Sequence, residues 1–174
     1  MKRHLERTIQ GQILTFEEYY TVLTGIEACL NSRPLTPLSS SPTDLIPLTP
    51  SHCLIGDILI QPCEPDLTNS PKTLKSRWLN IQRIRQHFWK RWHRDYLNQQ
   101  QTRSKWNENY RNIKVGTMVL MIEDNQPPLQ WPVGRIVENY AGQDSVVRVI
   151  LVKTVNGLYK RSVKKVCVLP NMDN

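Results

Sequence analysis

The chain has 174 residues, 39% hydrophobic and 22% charged, with a formal net charge of +8. That length and apolar content suit one ordinary domain or two small ones and exclude a wholly disordered chain. No apolar run approaches the roughly eighteen residues of a membrane-spanning helix, and the charged start MKRHLERTIQ lacks the apolar segment of a secretory signal.

The charge is unevenly spread. Residues 1–71 carry four Lys or Arg against eight Asp or Glu, residues 72–105 ten against one, and residues 106–174 nine against six. A concentrated cationic stretch is the electrostatic footprint of a polyanion binder. Cys29, Cys53, Cys63 and Cys167 form no C-x-x-C pair, so neither a disulfide framework nor a zinc site is indicated. A nuclear or cytoplasmic setting is expected.

In chain order, Thr15-Phe16-Glu17-Glu18 has the form of a capping box. Phe16, Tyr19, Leu23, Ile26 and Leu30 then recur at steps of three and four, which predicts a helix buried on that stripe and ending before Pro34. Five prolines between Pro34 and Pro50 predict an extended connector, and Thr49-Pro50 opens a short helix. A second loop runs from Gln61 to Pro71.

Lys75 to Leu97, KSRWLNIQRIRQHFWKRWHRDYL, mixes five aromatic residues with seven Lys or Arg. Leu74, Trp78, Ile81, Ile84, Phe88, Trp92 and Tyr96 follow helical spacing, and Arg83, His87, Lys90 and Arg94 fall on the opposite side. One helix from about Thr73 to about Gln101, roughly 40 Å long, would be aromatic on one face and cationic on the other. Arg85 is an exception within the apolar stripe.

From Lys114 the pattern changes to short β-prone runs: GTMVLMI, WPVGRIVENY, SVVRVILVKT, LYKRSV and VCVL, with Asn156-Gly157 as a hairpin signal. Five short strands predict a small closed or half-closed barrel. Arg148 and Lys153 have opposite parity within one run, which requires a bulge or a bent strand.

Candidate chemistry is sparse. Asp44, Asp57, Glu64 and Asp66 lie in proline-rich loops without the spacing of a shared metal site, and ordinary solvation explains them better. His52-Cys53 has no matching base or third ligand nearby in sequence. No phosphate-binding glycine loop or nucleophile elbow occurs, so no cofactor is expected.

The basic helix has several readings. It is a core helix with a solvated back, a phosphate-backbone contact, or a membrane-surface or calmodulin-type helix. Eight Lys or Arg from Lys72 to Arg94 without an interleaved acid favour the phosphate reading, since a structural face normally mixes signs. Arg135, Arg148, Lys153, Lys160, Arg161, Lys164 and Lys165 add cations in or beside the strands, where scattered surface charge is the bland alternative. Tyr140, Tyr159, Trp106 and Trp131 could stack bases or cage a methylated lysine, although core and rim roles are commoner.

The blocks TFEEYYTVLTGIEACLNSRPLTPLS, LTPSHCLIG, RIRQHFWKRWHRDYL and EDNQPPLQWPVGRIVENYAGQDSVVRV resemble, in that order, the end of BEL/Pao-type retrotransposon polyproteins. The first two are similar to the last helices of an integrase catalytic core, and the last two to the integrase C-terminal region. The resemblance implies an α+β chain in three parts. Residues 1–71 would be the remnant of a ribonuclease-H-like core, 72–111 a basic amphipathic helix and linker, and 112–170 an SH3-like five-stranded β-barrel.

The resemblance places the catalytic glutamate upstream of Met1, so no catalytic residue carries over and the chain itself is expected to be no enzyme. Residues 1–35 are expected to pack on the aromatic face of the long helix or to fray. The expected function is non-catalytic nucleic-acid binding associated with DNA integration. Lys2, Arg7, Arg83, Lys90, Arg94, Arg135, Arg148, Lys160 and Arg161 would be the contacts. Expected partners are DNA or RNA, other integrase subunits or chromatin, and no membrane. The alternative is a protein-interaction module using the small barrel.

Overall fold

The computed structural model describes residues 2–39, 41–62, 64–70, 76–101, 113–144 and 146–170. Its contacts define two units. The first comprises Met1–Arg33, Pro50–Tyr96 and Asn125–Gln130, and the second Pro34–Thr49, Leu97–Asp124 and Trp131–Asn174. The long helix, read from sequence as a stretch of its own, thus has most of its length in the first unit.

The first unit is built from α1 (Lys2–Ile9), α2 (Phe16–Asn31), α3 (Pro50–Ile55) and α4 (Arg77–Gln100), which continues into the second. α2 opens on the capping box. Thr15 Oγ1 accepts from the Glu18 N–H, and the Glu18 carboxylate accepts from the Thr15 N–H at 2.8 Å, so two donors with no helical partner are satisfied.

The buried stripe of α2 is Val22, Ile26 and Cys29, rotated from the predicted one, and Phe16 is 79% exposed. Gly25 explains the rotation. It shares the Val22–Cys29 face, and a Cβ there would lie 2.9 Å from Cδ of Arg85. The bare backbone admits the Arg85 stem, and that close approach selects the face.

Arg85, the exception in the apolar stripe, is therefore accounted for: its guanidinium pairs with Glu64, whose other oxygen accepts from Gln82 Nε2 at 3.0 Å. On α4 itself Ile84, Phe88, Trp89 and Trp92 are buried, as the spacing requires for three of them, but Trp78 is 56% exposed. Phe88 stacks toward Trp92 and Trp92 toward Tyr96, while Trp89 stacks on His93 with centroids 5.0 Å apart.

The N-terminal helices do pack on α4. The His4 ring meets Phe88 edge-on and its Nε2 lies 2.9 Å from Asp95, Arg77 pairs with Glu18, and Asn80 donates to Gln12 at 3.1 Å.

The second unit carries a five-stranded antiparallel sheet in the order β6-β5-β4-β3-β7, and a two-residue ladder of β1 (Thr36–Pro37) with β2 (Pro47–Leu48). The larger strands are β3 (Met118–Met121), β4 (Val133–Ala141), β5 (Val147–Thr154), β6 (Gly157–Ser162) and β7 (Val166–Val168), with a 3-10 turn at Val163–Lys165. Each of the five predicted runs supplies one strand. Among the described residues the sheet is open, since β6 and β7 do not pair and closure into a barrel is not made by backbone bonds.

Val119, Met121, Ile136, Val147, Ile150, Val152 and Val166 form its core. The register slips twice. Val137 is an extra residue on β4 between the Ile136↔Val152 and Glu138↔Leu151 pairs, and Arg148 an extra residue on β5 between Val149↔Tyr140 and Val147↔Ala141. The second bulge resolves the parity conflict: Arg148 leaves the alternation that Lys153 obeys.

Candidate nucleic-acid interface

The cationic face of α4 differs along its length. In the N-terminal half, loop residues cross the helix: Leu67 N–H donates to Gln86 Oε1 at 2.8 Å, and Gln86 Nε2 to the Pro65 carbonyl at 2.9 Å. Arg83, expected on the solvent face, is instead buried at 5% exposure and donates to Asn80 Oδ1 at 2.8 Å. Its position opposite the aromatic stripe does not expose it, because α4 is covered on more than one side there. Arg83 is therefore not a surface contact, contrary to the sequence expectation.

Farther along, Lys90, Arg91 and Arg94 are exposed. Among the described residues none of the three has a carboxylate within ion-pair distance. Arg91 lies beside the Arg83–Lys90–Arg94 steps, so that spacing does not select it. Its adjacency to Lys90 on the same exposed arc was the available signal.

His87 lies in this cluster but adds no charge at neutral pH. Burial, and then the neighbouring Arg83, Arg91 and Lys90, push its pKa below the ordinary histidine value against the pull of Asp66. The Asp66 carboxyl is held low mainly by hydrogen bonds from Thr68, with Lys90 and His87 contributing less.

α1 lies along this half of α4 through the His4 contacts with Phe88 and Asp95. It contributes exposed Lys2, Arg3 and Arg7, with Lys2 3.9 Å from Glu6. An open groove of about 630 Å³ runs past Lys2, Arg3, Arg7, Glu6 and Tyr19.

In the second unit the expected contacts separate into different roles. Arg135 is buried at 5% exposure. Its guanidinium donates to three backbone carbonyls, Ser39 at 2.9 Å, Asp44 at 3.1 Å and Gly116 at 2.9 Å. It is an internal clamp, which corrects its assignment to the surface. Proline-rich segments leave carbonyls that no ladder satisfies, and a five-donor fork supplies what they lack.

Arg148 is exposed but paired with Asp144, and Arg161 is half-buried and paired with Glu123 at 2.9 Å. Lys160 stands 4.7 Å from the centroid of the Tyr140 ring, whose hydroxyl donates to Glu138 at 2.8 Å. Lys153, Lys164 and Lys165 are exposed. Of the four aromatic candidates, Tyr140 is engaged by Lys160 and Tyr159 by Arg161. Trp131 is half-buried, and Trp106 falls outside the described residues.

Among the described residues no three His, Cys, Asp or Glu side chains gather as a metal site, and no helix is long and apolar enough to cross a membrane. No curated protein and no solved structure matches the chain. Residues 76–169, which hold α4 and the whole five-stranded sheet, match the family of unknown function DUF5641. That match covers more than half of the sequence, and the chain belongs to this family.

Proposed function

We propose that the chain is a nucleic-acid-binding, non-catalytic part of a BEL/Pao-type retrotransposon integrase, contacting the phosphate backbone of DNA or RNA through the C-terminal half of α4. The carrying observation is the exposed trio Lys90, Arg91 and Arg94, free of carboxylate partners among the described residues. Cations already neutralised by protein acids release fewer counterions on binding, so the unpaired ones supply the affinity. Lys2, Arg3 and Arg7 extend the same unit's positive surface.

The open sheet is read as an SH3-like element. A four-strand meander, a 3-10 turn and a fifth strand that returns to pair with the first support this reading. Integrase subunits and chromatin are the protein partners it would serve.

Fluorescence anisotropy on labelled duplex DNA across a salt series tests the proposal. Three phosphate contacts give a slope of log K against log salt of about −2.7. The triple variant Lys90→Glu, Arg91→Glu, Arg94→Glu should lose most of that slope and at least about tenfold in affinity at low salt. Salt-insensitive binding, or a triple variant that binds like the parent, refutes it.

A further inference from the structure

We propose that the outer edge of β6 accepts an extended acidic peptide as a sixth strand of the sheet. The inference uses the second unit alone and does not depend on the α4 reading. β6 ends the sheet, and no strand lies beyond it among the described residues. Its register with β5 is continuous from Val149↔Ser162 to Thr154↔Gly157. Bonded and non-bonded pairs alternate along such a ladder, so every other residue of β6 turns its N–H and C=O away from β5. An edge of this kind is a template for another strand.

The edge has apolar and charged contacts to offer. Leu158 is 60% exposed and Val155, in the adjoining turn, 86%. From Gly157 to Lys165 the sequence holds Lys160, Arg161, Lys164 and Lys165 and no acid. Arg161 is held by Glu123, so the sign of the edge is set by exposed Lys160, which stands over the Tyr140 ring, and by exposed Lys164 and Lys165 in the 3-10 turn that follows the strand.

That sign selects the occupant. A second copy would bring Lys160 and its neighbours against themselves, and like charges across a strand pair destabilise it. An acidic strand instead gains at each cation while its backbone satisfies the open donors and acceptors. A nucleic-acid strand meets the lysines but lacks alternating amide groups at the roughly 3.3 Å rise of a strand, so it would leave the edge amides unpaired.

The test uses the full chain and a capped eight-residue peptide alternating Val and Glu, with hydrogen exchange followed residue by residue. The peptide should slow exchange at alternate β6 amides by about tenfold or more. A counterpart with proline at alternate positions should not, since it lacks the donors. Lys160→Glu, at an exposed site, should weaken the acidic peptide about tenfold and favour an alternating Val and Lys peptide. Unchanged β6 exchange, equal binding of the proline peptide, or displacement of the peptide by a short single-stranded oligonucleotide without amide protection would overturn the proposal.

Discussion

Arg135 shows how a single side chain can be misplaced by charge alone. Within a basic β-rich sequence it reads as one more surface cation, yet it is enclosed and donates to the carbonyls of Ser39, Asp44 and Gly116. Lysine carries the same charge but cannot present the planar fork that reaches three acceptors. Arg135→Lys should therefore lose about 2–4 kcal/mol in urea unfolding, because a buried charge and half-buried carbonyls are left without their partners. Under the proposed function, the folded fraction of this variant should bind DNA like the parent, which separates an internal clamp from a phosphate contact. Arg83 is the parallel case on α4. Nothing in the immediate sequence marks either residue: Arg135 is held by carbonyls more than ninety residues away at Ser39 and Asp44, and Arg83 is buried although its bonded partner Asn80 is on the same helix.

Among the elements, existence was legible and phase was not. The capping box at Thr15, the break before Pro34 and the five β-prone runs separated by turn signals each correspond to an observed boundary or strand. Such signals are local, so they survive without knowledge of the partner. The burial stripes of α2 and α4 depend on what packs against them, and there the periodicity pointed to Phe16 and Trp78, both of which are exposed. The Gly25–Arg85 approach is the physical reason on α2, and it is open to test. Gly25→Val should cost about 1–3 kcal/mol by crowding the Arg85 stem. That penalty should shrink in an Arg85→Ala background, where the obstructing carbons are gone. Equal penalties in both backgrounds would place the strain elsewhere. The β1–β2 ladder was hidden for another reason: its strands are two residues each and lie among prolines that ordinarily signal irregular chain.

Across the whole molecule, charge read from sequence overstates how much of the basic region faces water, since Arg83 is buried and Arg85 is half-buried and paired with Glu64. Folding encloses Arg135 as a clamp, holds several other cations in ion pairs, and leaves Lys90, Arg91 and Arg94 among the exposed cations without a carboxylate partner in the described residues. It also sequesters His93, whose pKa burial lowers to about 4. An unfolded histidine titrates near 6.5, so the unfolded chain takes up a proton first as pH falls. The stability tied to neutral His93 is complete above about pH 6.5 and lost progressively down to about pH 4, on the order of 3 kcal/mol in all. His93→Gln should flatten that part of a stability-versus-pH curve; a variant with the parental slope would assign it to other groups. The Arg135 clamp has one more consequence. Ser41, Pro42 and Thr43 are exposed and lie between two carbonyls held by the same guanidinium, while Thr36 pairs with Leu48 outside them. A protease cut at Pro42–Thr43 would thus leave both new ends tethered, and the nicked protein should elute and melt as one piece.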